Sequence, residues 1–268
     1  MEFSTQEVSF ELNEKAKRLR QLCEPGQPLV LTNVWDAASA NLVVAHPFTQ
    51  AVATASYAVA AASGVGDNDL TLEANLRGIR NVSAVVAKTD LPLTADLQDC
   101  YEDVRATIRQ AIDAGVVGCN IEDVDNTNGK LRTVDDAVSR IKAVLSAAEE
   151  AGVPDFCVNA RTDVVPFGGS VSDAISRGKA YIDAGATTVY IWGGGGGRGI
   201  SRDEVEELVK GLGGMINVKM NLRPGYLNVQ DLAELGVARI SVGPEMYLKA
   251  MAGFKYALEV VAKGESFQ

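Results

Sequence analysis

Gly118-Cys119-Asn120-Ile121-Glu122-Asp123 and Phe156-Cys157-Val158-Asn159-Ala160-Arg161-Thr162-Asp163 bracket one full repeat of the chain. Each run is short and mostly apolar, then turns charged at its end. That is the pattern of a parallel strand buried on both faces. Between them, Ala137–Ala151 carries apolar residues at three- and four-residue spacing with charges between, and stops at Ala-Gly, which marks a helix end. Strand, helix and strand in this order form one βα unit.

The same unit recurs outward in both directions. Strands are expected at Leu29–Val34, Ala51–Ser56, Pro92–Leu97, Gly118–Glu122, Phe156–Thr162, Thr187–Trp192, Ile216–Met220 and Arg239–Val242. Their starts lie on average roughly 30 residues apart, one βα unit per step. Tyr101–Ala114 and Ser170–Ala184 read as helices that also end at Gly. Ser201-Arg202-Asp203-Glu204 is a capping box that starts the sixth helix, and Asn228 can cap the seventh. Met246–Lys263 is a last helix after the last strand, and Leu12–Leu22 an extra N-terminal helix that closes the barrel bottom. Strand–helix alternation also allows a doubly wound sheet. Eight near-equal units favour closure. No Gly-x-Gly-x-x-Gly follows the first strand, where Asn33-Val34-Trp35-Asp36 stands instead. The fold class is therefore α/β, a (β/α)8 TIM barrel forming a single domain over residues 1–268. The length of 268 residues suits it, since such barrels take about 250.

Composition excludes several functions. The net charge of −10 and the lack of a Lys/Arg cluster argue against nucleic acid and against an anionic membrane surface. No apolar run approaches a membrane span, and residues 1–13 resemble neither a signal nor a transit peptide. Cys23, Cys100, Cys119 and Cys157 follow no metal-ligand spacing and read as reduced thiols of an intracellular, cytoplasmic protein. His46 is the only histidine. Ser–His–Asp hydrolysis and His-based metal sites are excluded with it.

In such a barrel, polar residues at the C-terminal ends of strands are the active-site candidates. Asp96 ends the third strand, Glu122 and Asp123 the fourth, Arg161 the fifth, and Asp67 lies in the loop after the second. Strand alternation puts Asn120 with Glu122, and Asn159 with Arg161, on one face. Two carboxylates on neighbouring strands suit a Mg²⁺ that keeps several waters. The adjacent Arg offers a planar fork for a carboxylate or phosphonate. Gly193 to Gly197, after the sixth strand, form a Gly-rich turn without the Lys-Ser/Thr ending of a nucleotide loop.

The ordered set Thr32-Asn33-Val34-Trp35-Asp36-Ala37-Ala38-Ser39-Ala40, Ala55-Ser56-Tyr57-Ala58-Val59-Ala60, Gly64-Val65-Gly66-Asp67, Thr94-Ala95-Asp96, Ile121-Glu122-Asp123 and Asn159-Ala160-Arg161-Thr162-Asp163 resembles the isocitrate lyase / phosphoenolpyruvate mutase superfamily. The resemblance implies bond cleavage or formation next to an α-oxo carboxylate, through an enolate held on Mg²⁺, with Mn²⁺ as a substitute. By position, it implies that Ser56 and Tyr57 offer backbone N–H groups to the substrate and that Asp67 lies beside substrate and metal. It implies that Asp96 and Glu122 hold the metal and that Arg161 binds the substrate carboxylate. Asp67, Arg161 and Tyr57 are then the catalytic set; Ser56, Asn159 and Asn221 join the substrate-binding set. It also implies a homotetramer in which the last helix packs on a neighbour.

The chain departs from that pattern in two places. Thr94-Ala95-Asp96 followed by Asp99-Cys100-Tyr101-Glu102 replaces the family's Asp-Ala-Asp and Gly-Tyr-Gly. The lyase branch's gating Cys motif and the mutase branch's Lys and Asn are absent, and Val124–Lys130 stands there instead. The leading expectation is a Mg²⁺-dependent lyase cleaving a C–C bond of an oxo- or hydroxy-di/tricarboxylate. The alternatives are C–P chemistry on phosphonopyruvate and an idle carboxylate-binding barrel. Gly64–Asp69 and Asp125–Lys130, rich in Gly, Asn and Asp, are expected to gate the site.

Overall fold

The computed structural model describes residues 5–195, 198–264 and 266. Strands β1 (Leu29–Leu31), β2 (Asn33–Val34), β3 (Val52–Thr54), β4 (Leu93–Asp96), β5 (Gly118–Glu122), β8 (Cys157–Thr162), β9 (Thr188–Ile191), β10 (Ile216–Lys219) and β11 (Arg239–Ser241) form one parallel sheet; β6 (Val124–Asp125) and β7 (Lys130–Leu131) form a separate antiparallel hairpin. The edges of the parallel sheet are consecutive in sequence. β1 pairs with β11, Leu31 opposite Ser241, and β2 pairs with β3, Val34 opposite Thr54. The expected first strand is thus split at Thr32, and the ring closes through it as an eight-strand barrel.

Helices cover the outside: α1 (Thr5–Gln21), α2 (Ala37–Val44), α3 (Ser56–Ala62), α4 (Leu72–Val86), α5 (Val104–Asp113), α6 (Val134–Glu150), α7 (Val171–Asp183), α8 (Arg202–Leu212), α9 (Val229–Glu234) and α10 (Glu245–Lys263). The capping box at Ser201–Glu204 is present, and Asn228 accepts from Asp231 N as α9 begins. The Ala-Gly stops behave as expected, with Gly115 and Gly152 at φ +86° and +83°, a region that costs glycine nothing.

Three boundaries differ from expectation. The N-terminal helix starts at Thr5, a full two turns before Leu12. α5 starts at Val104, because Asp103 caps it and Cys100 and Tyr101 sit at positive φ. The second strand was expected to reach Ser56 but ends at Thr54, and Ser56 begins the helix α3.

α1 plugs the N-terminal ends of the strands. Leu19 and Ala16 are fully buried, and Arg20 donates to the Phe156 carbonyl where β8 begins. Inside the barrel, Asn120, Asn159 and Thr188 form a buried chain: Asn159 Nδ2 donates to Asn120 Oδ1 at 2.6 Å, and Asn159 Oδ1 accepts from Thr188 Oγ1 at 2.6 Å. With one end plugged and the interior filled, only the C-terminal ends of the strands can open to a ligand. No helix among the described residues is long and apolar enough to cross a membrane.

Candidate active site

A cavity of about 690 Å³ opens at the C-terminal ends of the strands. Ser56, Tyr57, Asp67, Asp96, Glu122, Arg161 and Asn221 all line it, together with Asn68, Asn126 and Gly129 of the two expected gate segments. Gly193, Gly194 and Gly195 of the Gly-rich turn face the cavity, while Gly196 and Gly197 lie outside the described residues.

Arg161 is the most heavily committed side chain. Nε and one Nη donate to the two oxygens of Asp163 at 2.6 and 2.7 Å, and the other Nη meets Glu122 Oε2 at 2.9 Å. Its guanidinium lies over Trp192, 4.5 Å from the ring centroid, and 5.7 Å from that of Tyr190. A guanidinium has five N–H donors. Two remain uncommitted by these bonds, one on each Nη.

The carboxylates feel one another. Burial raises the Asp67 carboxyl above its ordinary value, and the nearby Asp96 charge raises it further. Burial pushes Glu122 up to about 8; Asp163, Asp96 and Asp67 add to the shift and Arg161 opposes it. Asp163 is raised chiefly by burial, against the opposing Arg161.

Among the described residues no three His, Cys, Asp or Glu close on one point. A calcium-type cage is therefore not the fit. A Mg²⁺ uses one or two carboxylates and keeps several waters, and a cluster of half-buried acids in which Asp67 and Glu122 are raised partly by their acidic neighbours is the environment a hard cation relieves. Asp96 and Glu122 fit such an ion.

Two expected site residues are placed differently from their expected roles. The Ser56 N–H is taken by Asp96 Oδ2 at 3.1 Å, so it is not open to a substrate. Asn159 does not reach the cavity: it is 0% exposed and spent on Asn120 and Thr188 beneath Arg161. Thr94, where the family carries its first acid, is buried, and its Oγ1 has no hydrogen-bond partner among the described residues. Tyr57 is 41% exposed at the start of α3, with its ring edge against Tyr247. Asn221 accepts the N–H of Arg223 at 3.1 Å.

Sequence reading missed four residues. Lys219 ends β10 inside the cavity, its Nζ 3.2 Å from the buried Glu245. Gln98 is buried against Asp67. A charged residue at the end of a strand was the available signal for Lys219. Asp163 and Trp192 frame Arg161, and their positions two residues past Arg161 and at the end of the sixth strand were equally available.

The phosphoenolpyruvate phosphomutase family matches residues 19–262 of the chain. An uncharacterized protein of Mycobacterium tuberculosis is 31% identical over 90% of this chain and 87% of its own length. The solved structure of a Burkholderia cenocepacia protein, designated provisionally a phosphonomutase, is 37% identical with a TM-score of 0.81, covering 94% of this chain and 99% of that one. The 2,3-dimethylmalate lyase of Eubacterium barkeri is 27% identical over 66% of this chain and 62% of its own.

Proposed function

The chain belongs to the phosphoenolpyruvate phosphomutase family, and from that premise we propose that it is a Mg²⁺-dependent carbon–carbon lyase acting on an oxo- or hydroxy-di/tricarboxylate. One observation carries the reading. Three interacting carboxylates and a framed arginine share one cavity whose lining also includes two further cationic side chains, Lys219, paired with Glu245, and Arg223. A single-acid substrate needs only one cationic partner.

The roles follow from the contacts. Arg161 binds one substrate carboxylate through its two uncommitted N–H groups, and Asp163 and Trp192 fix the plane of the fork. Asp96 and Glu122 would hold the metal ion, which when bound would supply positive charge to stabilise a substrate oxygen that gains electron density. Asp67, whose raised carboxyl keeps a proton more readily than an exposed aspartate, delivers or accepts the proton at the rim. Tyr57, Asn221, Lys219 and Arg223 bind the remaining polar groups. The two rim segments exclude water from the carbanionic carbon, which water would protonate. The provisional phosphonomutase designation of the Burkholderia relative favours a second reading, C–P chemistry on phosphonopyruvate.

Turnover is to be measured against oxaloacetate, 2-methylisocitrate, 2,3-dimethylmalate and phosphonopyruvate, with Mg²⁺ and with excess chelator. Metal-dependent cleavage of one of the first three is expected. Turnover of phosphonopyruvate alone replaces the lyase reading with the second. Binding of these acids without turnover makes the chain an idle carboxylate-binding barrel. Asp96→Ala should abolish the metal-dependent rate while the barrel still folds; an equal rate in chelator would remove the metal.

A further inference from the structure

Gln98 touches three of the acidic residues that line the cavity, Asp67, Asp96 and Glu122. Its backbone N–H donates to Asp96 Oδ1 at 3.4 Å, its carbonyl accepts the Glu122 N–H at 2.9 Å, and its Nε2 donates to the Asp67 carbonyl at 2.8 Å and to Asp67 Oδ1 at 3.3 Å. It does so from a disfavoured backbone. Gln98 has φ +52°, followed by Cys100 at +64° and Tyr101 at +56°, the non-glycine residues at positive φ among those described. A side chain is rarely kept in that region unless its surroundings over-determine it. Here they do. Arg140 donates to the carbonyls of Asp99 and Tyr101, and Cys100 N donates to the Leu97 carbonyl at 2.8 Å.

Glycine would hold the same φ without steric cost. What glutamine adds is its amide, and that amide is spent on Asp67. The Asp67 turn has little else to hold it. Gly64, Val65 and Gly66 before it are exposed, and beyond its own 3-10 turn Asp67 is tied to the barrel by the side chains of Gln98 and Ser56. The next residue serves the other lip: Asp99 accepts from Asn126 N at 3.3 Å and from Arg132 Nη2 at 2.8 Å.

We propose that Gln98 is a positioning residue that latches Asp67 and its rim turn onto the end of β4, setting the place of Asp67 relative to Asp96 and Glu122 before any ligand binds. The catalytic value of that arrangement rests on the function proposed above; the latch itself does not.

The test is hydrogen exchange of the ligand-free protein in Gln98→Gly and Gln98→Asn. Gly keeps the backbone conformation and removes the amide; Asn tolerates positive φ but is one methylene too short to reach. Exchange in 64–69 should quicken about threefold to tenfold, as for one lost hydrogen bond, with exchange in β8 unchanged. On a turned-over substrate, kcat should fall more than KM rises. A merely structural role would lower the melting temperature and leave exchange in 64–69 unchanged relative to β8, and that result in whichever variant folds overturns the latch. If no substrate is turned over, the exchange measurement still decides the question.

Discussion

Arg161 turns back on Asp163, two residues further along the chain, giving Nε and one Nη to its two oxygens at 2.6 and 2.7 Å. Asp163 is itself fixed, its N–H donating to Asp123 Oδ1 at 2.9 Å, and Asp123 is held by Arg177 and Tyr181. The fork is therefore aimed by a chain of buried polar contacts instead of by the substrate. Lysine has a point charge and cannot span Asp163, Glu122 and a ligand together. Arg161→Lys should lower kcat/KM about tenfold or more, the loss of one charge-assisted hydrogen bond of roughly 1.5–3 kcal/mol. Asp163→Asn should raise KM while leaving the charge of Arg161 intact. Wild-type kinetics from Arg161→Lys would make the guanidinium a structural group.

Lys219 and Glu245 give a second handle on substrate choice. The lysine stem lies along Gly243, where an added Cβ would stand 3.4 Å from Cε, and its Nζ meets Glu245 Oε1 at 3.2 Å. Glu245 is 6% exposed, so Lys219→Met alone strands a buried charge and should cost about 1–3 kcal/mol of stability. Lys219→Met with Glu245→Gln should recover most of that loss. The double variant should still show a KM for a di-acid raised about tenfold, the value of one charged hydrogen bond. Inhibition by pyruvate, which has one acid group, should be unchanged. Equal weakening toward both would place Lys219 outside the second-acid subsite.

The barrel was legible because its signal is repeated. Eight apolar runs at near-equal spacing are hard to satisfy otherwise, and the rule that function sits at strand C-termini picked out Asp96, Glu122 and Arg161, all of which line the cavity. Single positions were less legible. Strand alternation correctly put Asn159 on the inward face, but inward also means downward into the barrel, and sequence does not reveal which layer meets solvent. Ser56 was read as an open backbone donor from the family resemblance, by position; in the structure Ser56–Ala62 is one short helix, and its first N–H turns to Asp96. The left-handed backbone at Gln98 has no sequence signature, since the glycine that usually announces it is absent.

The four thiols make a prediction about pH. All are buried. Burial raises Cys23 and pushes Cys157 up to about 12; the contact with Cys100, then burial, raises Cys119 well above its ordinary value. A folded-state pKa above the unfolded one means the native chain holds its proton longer. The stability this represents is complete below the unfolded thiol pKa of about 8.5 and is lost as pH rises toward the folded value. Cys157 alone should cost roughly 1–2 kcal/mol by pH 10. Urea midpoints should fall steadily from pH 8.5 upward, and a thiol reagent should find no rapid target in the native protein at pH 8. A midpoint that holds or rises over that range, or rapid native labelling, would contradict the account.

The last helix makes a prediction about assembly. Within α10, Met251, Phe254, Leu258 and Val261 recur at three-, four- and three-residue steps, the spacing of a seam between helices. They are not covered by the barrel: Phe254 is 63% and Val261 71% exposed, while Glu245 and Val260 are the buried residues of the helix. An apolar stripe of this kind is unfavourable in water, and residues that leave it bare usually mark a contact surface. We expect the stripe to pack against the same helix of another copy, giving an oligomer several times the 28.3 kDa chain mass, a tetramer by the family resemblance. Phe254→Asp with Val261→Asp places two charges on that seam and touches no cavity residue. Sedimentation should then report the single-chain mass, with the far-ultraviolet circular dichroism of the wild type retained. A wild-type protein that already sediments as one chain at micromolar concentration, or a double variant of undiminished mass, would show that this stripe is not the assembly surface.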